Sequence, residues 1–248
     1  MTEFVRRFKK CQILSAGTLK LIAIVTMLID HFAAGVYANL YNCGYLYRHG
    51  MMWHAADIYY ICRNIGRFAF PVYCFLLVEG FYHTKSRIKY LRNLVIFAFV
   101  SEIPFDLLLM GGIGLTGQNV FFTLAISLAG IWSIAKVKER FVNDPTISGV
   151  LQCGIIIMAC FTAHILNTDY SYYGIVLVMI FYYYRKNRFL ACLVGYVWFL
   201  FEPWCFPAFI ALLFYNGKRG LNLKYFFYAF YPGHLLLLYG LRVLLIEN

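Results

Sequence analysis

An aspartate and a histidine stand side by side, Asp30-His31, inside an otherwise apolar run of helix length from position 21 to 35. Carrying a charge to the middle of a bilayer costs roughly 2.5–3.5 kcal/mol on insertion scales. A chain that holds such a pair there must pair it or use it, which makes the pair a candidate functional site. The bilayer is the right solvent to consider, because 62% of the residues are apolar and only 13% are charged. A soluble domain carries about 25% charged residues. With spans of about 20 residues each, 248 residues suffice for an all-α, polytopic helical bundle with short loops, a single membrane domain over 1–248.

Apolar runs and their flanks predict about nine transmembrane helices, near 18–40, 58–82, 90–110, 118–135, 148–166, 170–184, 189–201, 203–216 and 223–245. Basic residues alternate between the connecting segments. Arg6, Arg7, Lys9 and Lys10 precede the first run, and further groups follow the second (Lys85, Arg87, Lys89, Arg92), fourth (Lys136, Lys138, Arg140), sixth (Arg185, Lys186, Arg188) and eighth (Lys218, Arg219, Lys224). The intervening loops carry essentially only Arg48. By the positive-inside rule the N-terminus is cytoplasmic and the protein is a multi-pass component of the cytoplasmic (inner) membrane. The net charge of +11 is spent on this topology in small groups, so nucleic acid is not an expected partner. The basic start followed by an apolar run has the outline of a signal peptide, but Asp30-His31 interrupts it, so it reads as a retained first span. The eight cysteines form no Cys-x-x-Cys pair, and no metal site is expected.

Several polar residues have no obvious place in apolar helices. Lys20 and His31 are eleven residues apart, on nearly the same face and about 16 Å apart along the axis. Arg63 and Arg67 share a face of the second run, and Pro71 lacks the N–H that the Arg67 carbonyl would accept, which predicts a locally opened helix. Each guanidinium needs an anion. Glu102 or Asp106, which flank Pro104 on the third run, can pair with Arg67. Asn119 and Asp169 stand at predicted helix starts, where either serves as an N-cap; Tyr170 follows, and Pro232-Gly233-His234 interrupts the last run. Counted from the membrane boundaries, His31, Arg67, Glu102 and His234 fall between mid-membrane and its outer half, with Asn119 and Asp169 at outer helix ends.

At these residues the chain resembles the TraX family, named for a conjugation-system protein implicated in N-acetylation of the amino terminus of pilin. The carrying segments are Leu19-Lys20 with Met27-Leu28-Ile29-Asp30-His31, Ile65-Gly66-Arg67-Phe68-Ala69-Phe70-Pro71, Gly80-Phe81-Tyr82-His83-Thr84, Ser101-Glu102-Ile103-Pro104-Phe105, Asn119-Val120-Phe121-Phe122-Thr123, Asp169-Tyr170 with Tyr173-Gly174, and Tyr231-Pro232-Gly233-His234-Leu235. Lysine, ten residues, then histidine is also similar to the pattern on the first helix of the wider membrane acyltransferase group that O-acylates surface polysaccharides, where the basic residue is usually arginine. The resemblance implies membrane acetyl transfer with acetyl-CoA as the cytoplasmic donor. The acceptor it implies is a peptide amine or a glycan hydroxyl.

Acyl transfer requires a base for the acceptor's proton, stabilisation of the oxyanion and exclusion of water. His31 has the pKa range for the base. Asp30 is the carboxylate next to it in sequence, but neighbours on a helix point about 100° apart and its contact is not assured; Glu102 or Asp106 from another helix can serve instead. Lys20, Arg63, Arg67, Asn119, Asp169, Tyr170 and His234 are expected to bind donor or substrate, and the cytoplasmic cations at Lys85, Arg87, Lys89 and Arg92 to attract the phosphates of coenzyme A. The competing reading is a proton-coupled transporter with Asp30, His31, Arg67 and Glu102 as its ion pathway. No internal repeat of the kind common in secondary transporters is visible.

Overall fold

In the computed structural model, residues 12–51, 53–114, 116–221 and 224–246 are described; Arg6, Arg7, Lys9 and Lys10 lie outside them. Among the described residues, six helical stretches are long and apolar enough to cross a membrane: Ala16–Asn42, Ala55–His83, Arg87–Met110, Val120–Arg140, Pro145–Ile165 and Tyr225–Ile246. Three further apolar helices, Ser171–Tyr183, Arg188–Trp198 and Pro203–Leu213, are shorter. A helix of 13 residues rises only about 20 Å against a hydrocarbon core of about 30 Å. Nine apolar segments therefore become helical, but six have the length of a full span.

The chain divides into two compact units, residues 1–73, 103–113 and 200–248 forming the first and residues 74–102 and 114–199 the second. In the first, helix α1 (Ala16–Phe32) continues through a π-turn, π1 (Ala33–Tyr37), into α2 (Ala38–Asn42) and the short α3 (Tyr45–Arg48). Ser15 caps α1 by accepting from the Thr18 N–H at 3.1 Å, and the N–H groups of Ala16 and Gly17 donate to the carbonyls of Lys218 and Arg219, each at 2.9 Å. Leu19, Ala23 and Met27, four apart, form its buried stripe, while Ile22 and Val25 are exposed. An exposed face that is itself apolar is the face a lipid would cover.

The second span is broken. Helix α4 (Ala55–Gly66) ends before Arg67, and α5 (Ala69–His83) starts after Phe68. Arg67 and Phe68 donate three residues back, to Asn64 at 3.2 Å and Ile65 at 3.3 Å, in a tightened turn. Pro71 is the third residue of α5, where a missing N–H costs no intrahelical bond. The opening expected from Pro71 is present, and it lies upstream of the proline. Gly66 packs directly on Asp30, so that a Cβ at 66 would collide with the Asp30 side chain.

On the third span, α6 (Arg87–Phe105) passes Pro104 and widens into a second π-turn, π2 (Asp106–Met110). Pro104 cannot donate to the carbonyl of Val100, which loosens the ladder just before the wide turn. Gly35 of π1 takes the Leu108 side chain of π2 where a Cβ would otherwise sit. The last helix, α12 (Lys224–Ile246), packs on α1, π1 and π2. Its Arg242 donates to the carbonyls of Leu107 at 2.8 Å and Leu108 at 3.0 Å, satisfying acceptors that the wide turn leaves open.

The second unit is built on α7 (Val120–Arg140), α8 (Pro145–Ile165), α9 (Ser171–Tyr183) and α10 (Arg188–Trp198), with α9 packed on the other three. The 3-10 turn Pro203–Cys205 and α11 (Phe206–Leu213) belong to the first unit. Along α8 the buried residues are the small Ser148, Ala159 and Ala163, whereas Val150, Ile157, Met158 and Phe161 are exposed. Small residues inward and large apolar residues outward is the packing of a helix in lipid.

Gly66→Ala is expected to destabilise the protein by about 1–3 kcal/mol, since the added methyl has no space beside Asp30. Gly240→Ala, whose Cβ meets nothing within 4 Å, should be neutral or stabilising by up to about 1 kcal/mol. Thermal unfolding of the two variants in detergent, read against the parent, measures the difference.

Candidate functional site

His31 stands one helical repeat beyond Met27, in line with the buried stripe of α1. Its Nδ1 lies 2.7 Å from Nε2 of His234 on α12, and Nδ1 of His234 lies 2.8 Å from the carbonyl oxygen of Phe230, one turn back on the same helix. The two imidazoles are parallel within 6° with centroids 5.0 Å apart. At that separation a 2.7 Å contact requires both nitrogens to lie on the line between the centroids, so the rings meet edge to edge nearly in one plane. Phe230 stacks on His234 at 4.8 Å, and Tyr231 sets its ring edgewise to His31 at 6.0 Å and to His234 at 5.6 Å. His234 is only 5% exposed, while His31 keeps partial exposure.

Asp30 points away from the imidazoles, as helix geometry requires. Its Oδ2 accepts from Arg63 Nη1 of α4 at 2.7 Å, and Oδ1 is buried without a hydrogen-bond partner among the described residues. Arg67, in the break between α4 and α5, holds a different carboxylate. Where the sequence points to Glu102 or Asp106, the anion found on Arg67 Nε is Glu202, at 2.6 Å. Glu202 directly precedes the 3-10 turn Pro203–Cys205, which packs against α4, and this brings it to Arg67. Burial pushes the Glu202 carboxyl above its ordinary pKa, and the Arg67 and then the Arg63 guanidinium pull it back. Sequence reasoning missed Glu202 as a site residue. The available signal was a lone carboxylate between two apolar runs, at Glu202-Pro203.

Lys20 lies near the opposite end of α1 from His31, with Nζ 5.1 Å from the centroid of the Phe227 ring. This is a cation–π contact of an amphipathic side chain near a helix terminus. Of the ten candidates read from the sequence, Lys20, Asp30, His31, Arg63, Arg67 and His234 thus belong to the first unit, and four of them meet as two contacts, His31 with His234 and Asp30 with Arg63.

Glu102, Asn119, Asp169 and Tyr170 belong to the second unit. Asn119 is fully buried and caps α7 through its Oδ1, which accepts from the Phe121 N–H at 3.0 Å. Its Nδ2 donates to the Ala98 carbonyl at 2.7 Å and to Glu102 Oε2, and its backbone N–H donates to the same Glu102 oxygen at 3.2 Å. The N-cap expected of Asn119 is therefore present, and Glu102 is engaged by it. Asp169 is not the cap of α9; that position falls to Tyr170, in the left-handed conformation at φ 60°. The backbone of Asp169 is fixed to α7 and its approach, its N–H donating to Gln118 O at 2.8 Å and its carbonyl accepting from the Thr123 hydroxyl. Asn167 and Ser171 also have positive φ, a concentration of unusual backbone in one turn. Also in this unit, Glu79 receives Arg185 Nε at 2.8 Å and lies 3.5 Å from His83 Nε2.

Among the described residues no group of three or more His, Cys, Asp or Glu side chains could hold a metal ion. The chemistry of the first unit is instead that of an imidazole pair beside two ion pairs. Breaking the Asp30–Arg63 pair from one side, by Asp30→Asn, removes the anion bonded to a part-buried guanidinium and is expected to cost about 1.5–3 kcal/mol. The double variant Asp30→Asn, Arg63→Met should recover a large part of that loss. A double-mutant cycle of thermal stability in detergent checks it.

No solved structure matches the chain. A relative from Dichelobacter nodosus, described as probable fimbrial assembly protein FimC of serogroup H1, is 29% identical over 262 aligned positions, which cover 93% of this chain and 97% of the relative. The family profile described as TraX protein matches residues 15–242, which take in the His31–His234 pair, the three arginine–carboxylate pairs and the Asn119 cap. The chain therefore belongs to the TraX family.

Proposed function

We propose that the protein is an integral membrane acetyltransferase of the cytoplasmic membrane, with its N-terminus in the cytoplasm, that moves an acetyl group from acetyl-CoA to an amine or hydroxyl acceptor. The acceptor class is the amino terminus of a pilin-like peptide or a surface-glycan hydroxyl. Family membership supports the setting, and the Dichelobacter relative, described as a probable fimbrial assembly protein, adds fimbrial assembly as that protein's context. The observation that carries the reading is the His31–His234 contact, two imidazoles joined at 2.7 Å between two helices of membrane-spanning length.

In this reading His31 takes the proton from a neutral amine or a hydroxyl as the acceptor's lone pair forms its bond to the acetyl carbon. It returns that proton to the sulfur as the carbon–sulfur bond breaks, so the imidazole ends as it began. Asp30–Arg63 and Arg67–Glu202 hold α1, α4 and the turn after Glu202 in register around it. Glu102, engaged by Asn119, has the smaller part of fixing α6 to the start of α7. For the donor, the residues present fit phosphate and an aromatic base. An open cleft of about 410 Å³ in the second unit is lined by Thr84, Lys85, Ser86, Arg87, Trp132 and Lys136, giving three cations, two hydroxyls and an indole. Such groups bind the charged end of coenzyme A by charge and stacking.

The test uses the full chain in nanodiscs with radiolabelled acetyl-CoA and, in separate reactions, a pilin-like peptide with a free amino terminus and a surface glycan. Acceptor-dependent release of coenzyme A is expected, with a loss on the order of 10²-fold or more in His31→Ala. Absence of acetyl-CoA binding, together with no effect of His31→Ala on any transfer seen, overturns the proposal. Solute flux into liposomes that is independent of acetyl-CoA would favour the transporter reading instead.

A further inference from the structure

We infer that His234 is a positioning residue that locks His31 in its Nδ1–H tautomer, so that the lone pair available for chemistry is on Nε2 of His31. The hydrogen bonds run outward from the Phe230 carbonyl, the one group whose role is fixed. The Phe230 carbonyl oxygen can only accept, so the 2.8 Å contact to Nδ1 of His234 requires the proton to be on that nitrogen. A neutral imidazole carries one N–H, which leaves Nε2 of His234 as an acceptor. Nδ1 of His31, 2.7 Å away, must then be the donor. Its own single proton is spent there, and Nε2 of His31 is left bare.

The surroundings prevent the alternative by rotation. Ring flips of His234 would take Nδ1 from the Phe230 carbonyl, and the ring is held between the Phe230 face and the Tyr231 edge. The near-coplanar rings, parallel within 6°, put the N–H of His31 along the lone pair of His234. Asp30, the carboxylate next in sequence, is bound to Arg63 and does not take this part. The arrangement has the form of an acid–histidine orienting pair in which a neutral imidazole anchored to a backbone carbonyl replaces the carboxylate. A neutral partner suits an apolar helix pair, because no second anion has to be buried. When Nε2 of His31 takes a proton, the Nδ1–H bond to His234 becomes charge-assisted and strengthens.

The tautomer assignment stands on geometry, while its use as a catalytic base rests on the acetyl-transfer reading; the experiment separates the two. The full chain, labelled with nitrogen-15 histidine and held in micelles, is measured by two-bond proton–nitrogen correlation, with the His31 signals assigned by their loss in His31→Ala. The expected pattern is a protonated Nδ1 and an unprotonated Nε2 on His31. His234→Leu should release it to the Nε2–H form, and His234→Gln, whose side-chain oxygen can accept from Nδ1–H, should restore the parent pattern. In acetyl transfer, His234→Leu should lower kcat on the order of 10²-fold with little change in KM, and His234→Gln should recover part of it. An Nε2–H tautomer of His31 in the unmodified protein overturns the inference whatever the variants do, as does an unchanged Nδ1–H pattern in a folded His234→Leu. An Nδ1–H pattern in a protein that transfers no acetyl group upholds the tautomer assignment and overturns the functional reading alone.

Discussion

The first unit depends on a single constraint: a polar group carried into an apolar helix must find its partner within the protein, because lipid supplies none. Asp30 meets Arg63, Arg67 meets Glu202, and His31 meets His234, which itself reaches a backbone carbonyl. Each contact ties together segments distant in sequence. The same constraint fixes the placement of small residues, since Asp30 reaches its position only because position 66 has no side chain.

Local irregularity of the backbone serves these contacts. The break at Arg67 and Phe68, the π-turn following His31 and the π-turn following Pro104 all lie beside polar residues in otherwise regular spans. Wide turns expose carbonyls and re-aim side chains, which is why they recur at functional positions. Here Arg242 takes up the Leu107 and Leu108 carbonyls of the second wide turn, the Asn39 side chain takes up the Gly35 carbonyl of the first, and Gly35 and Leu108 pack the two wide turns against each other. An irregular stretch in an apolar span is tolerable only when its freed groups are satisfied inside the protein.

How much of this was legible depended on whether a feature is local. The Asn119 cap could be read from an asparagine standing directly before an apolar run, and the opened second span from Pro71, because both are governed by neighbours along the chain. His31 stood out because an imidazole amid aliphatic residues has no cheap explanation. The partner of Arg67 was not legible: Glu102 and Asp106 were better placed by helical spacing, but proximity in space is set by the packing of the turn after Glu202 against α4. Asp169 failed as a cap because Tyr170 takes the position in a left-handed conformation that spacing does not reveal.

By itself, the sequence determined that this is a helical, multi-span protein of the TraX family with costly polar groups in apolar helices, since hydropathy and cost of burial are properties of residues and their immediate neighbours. Only the tertiary structure decided that Asp30 belongs to Arg63 rather than to His31, that Glu202 answers Arg67, and that His234 and the Phe230 carbonyl set the imidazole of His31. Hydrogen bonds act over about 3 Å and in set directions, so partners are chosen by helix packing and rotation, which no linear spacing encodes.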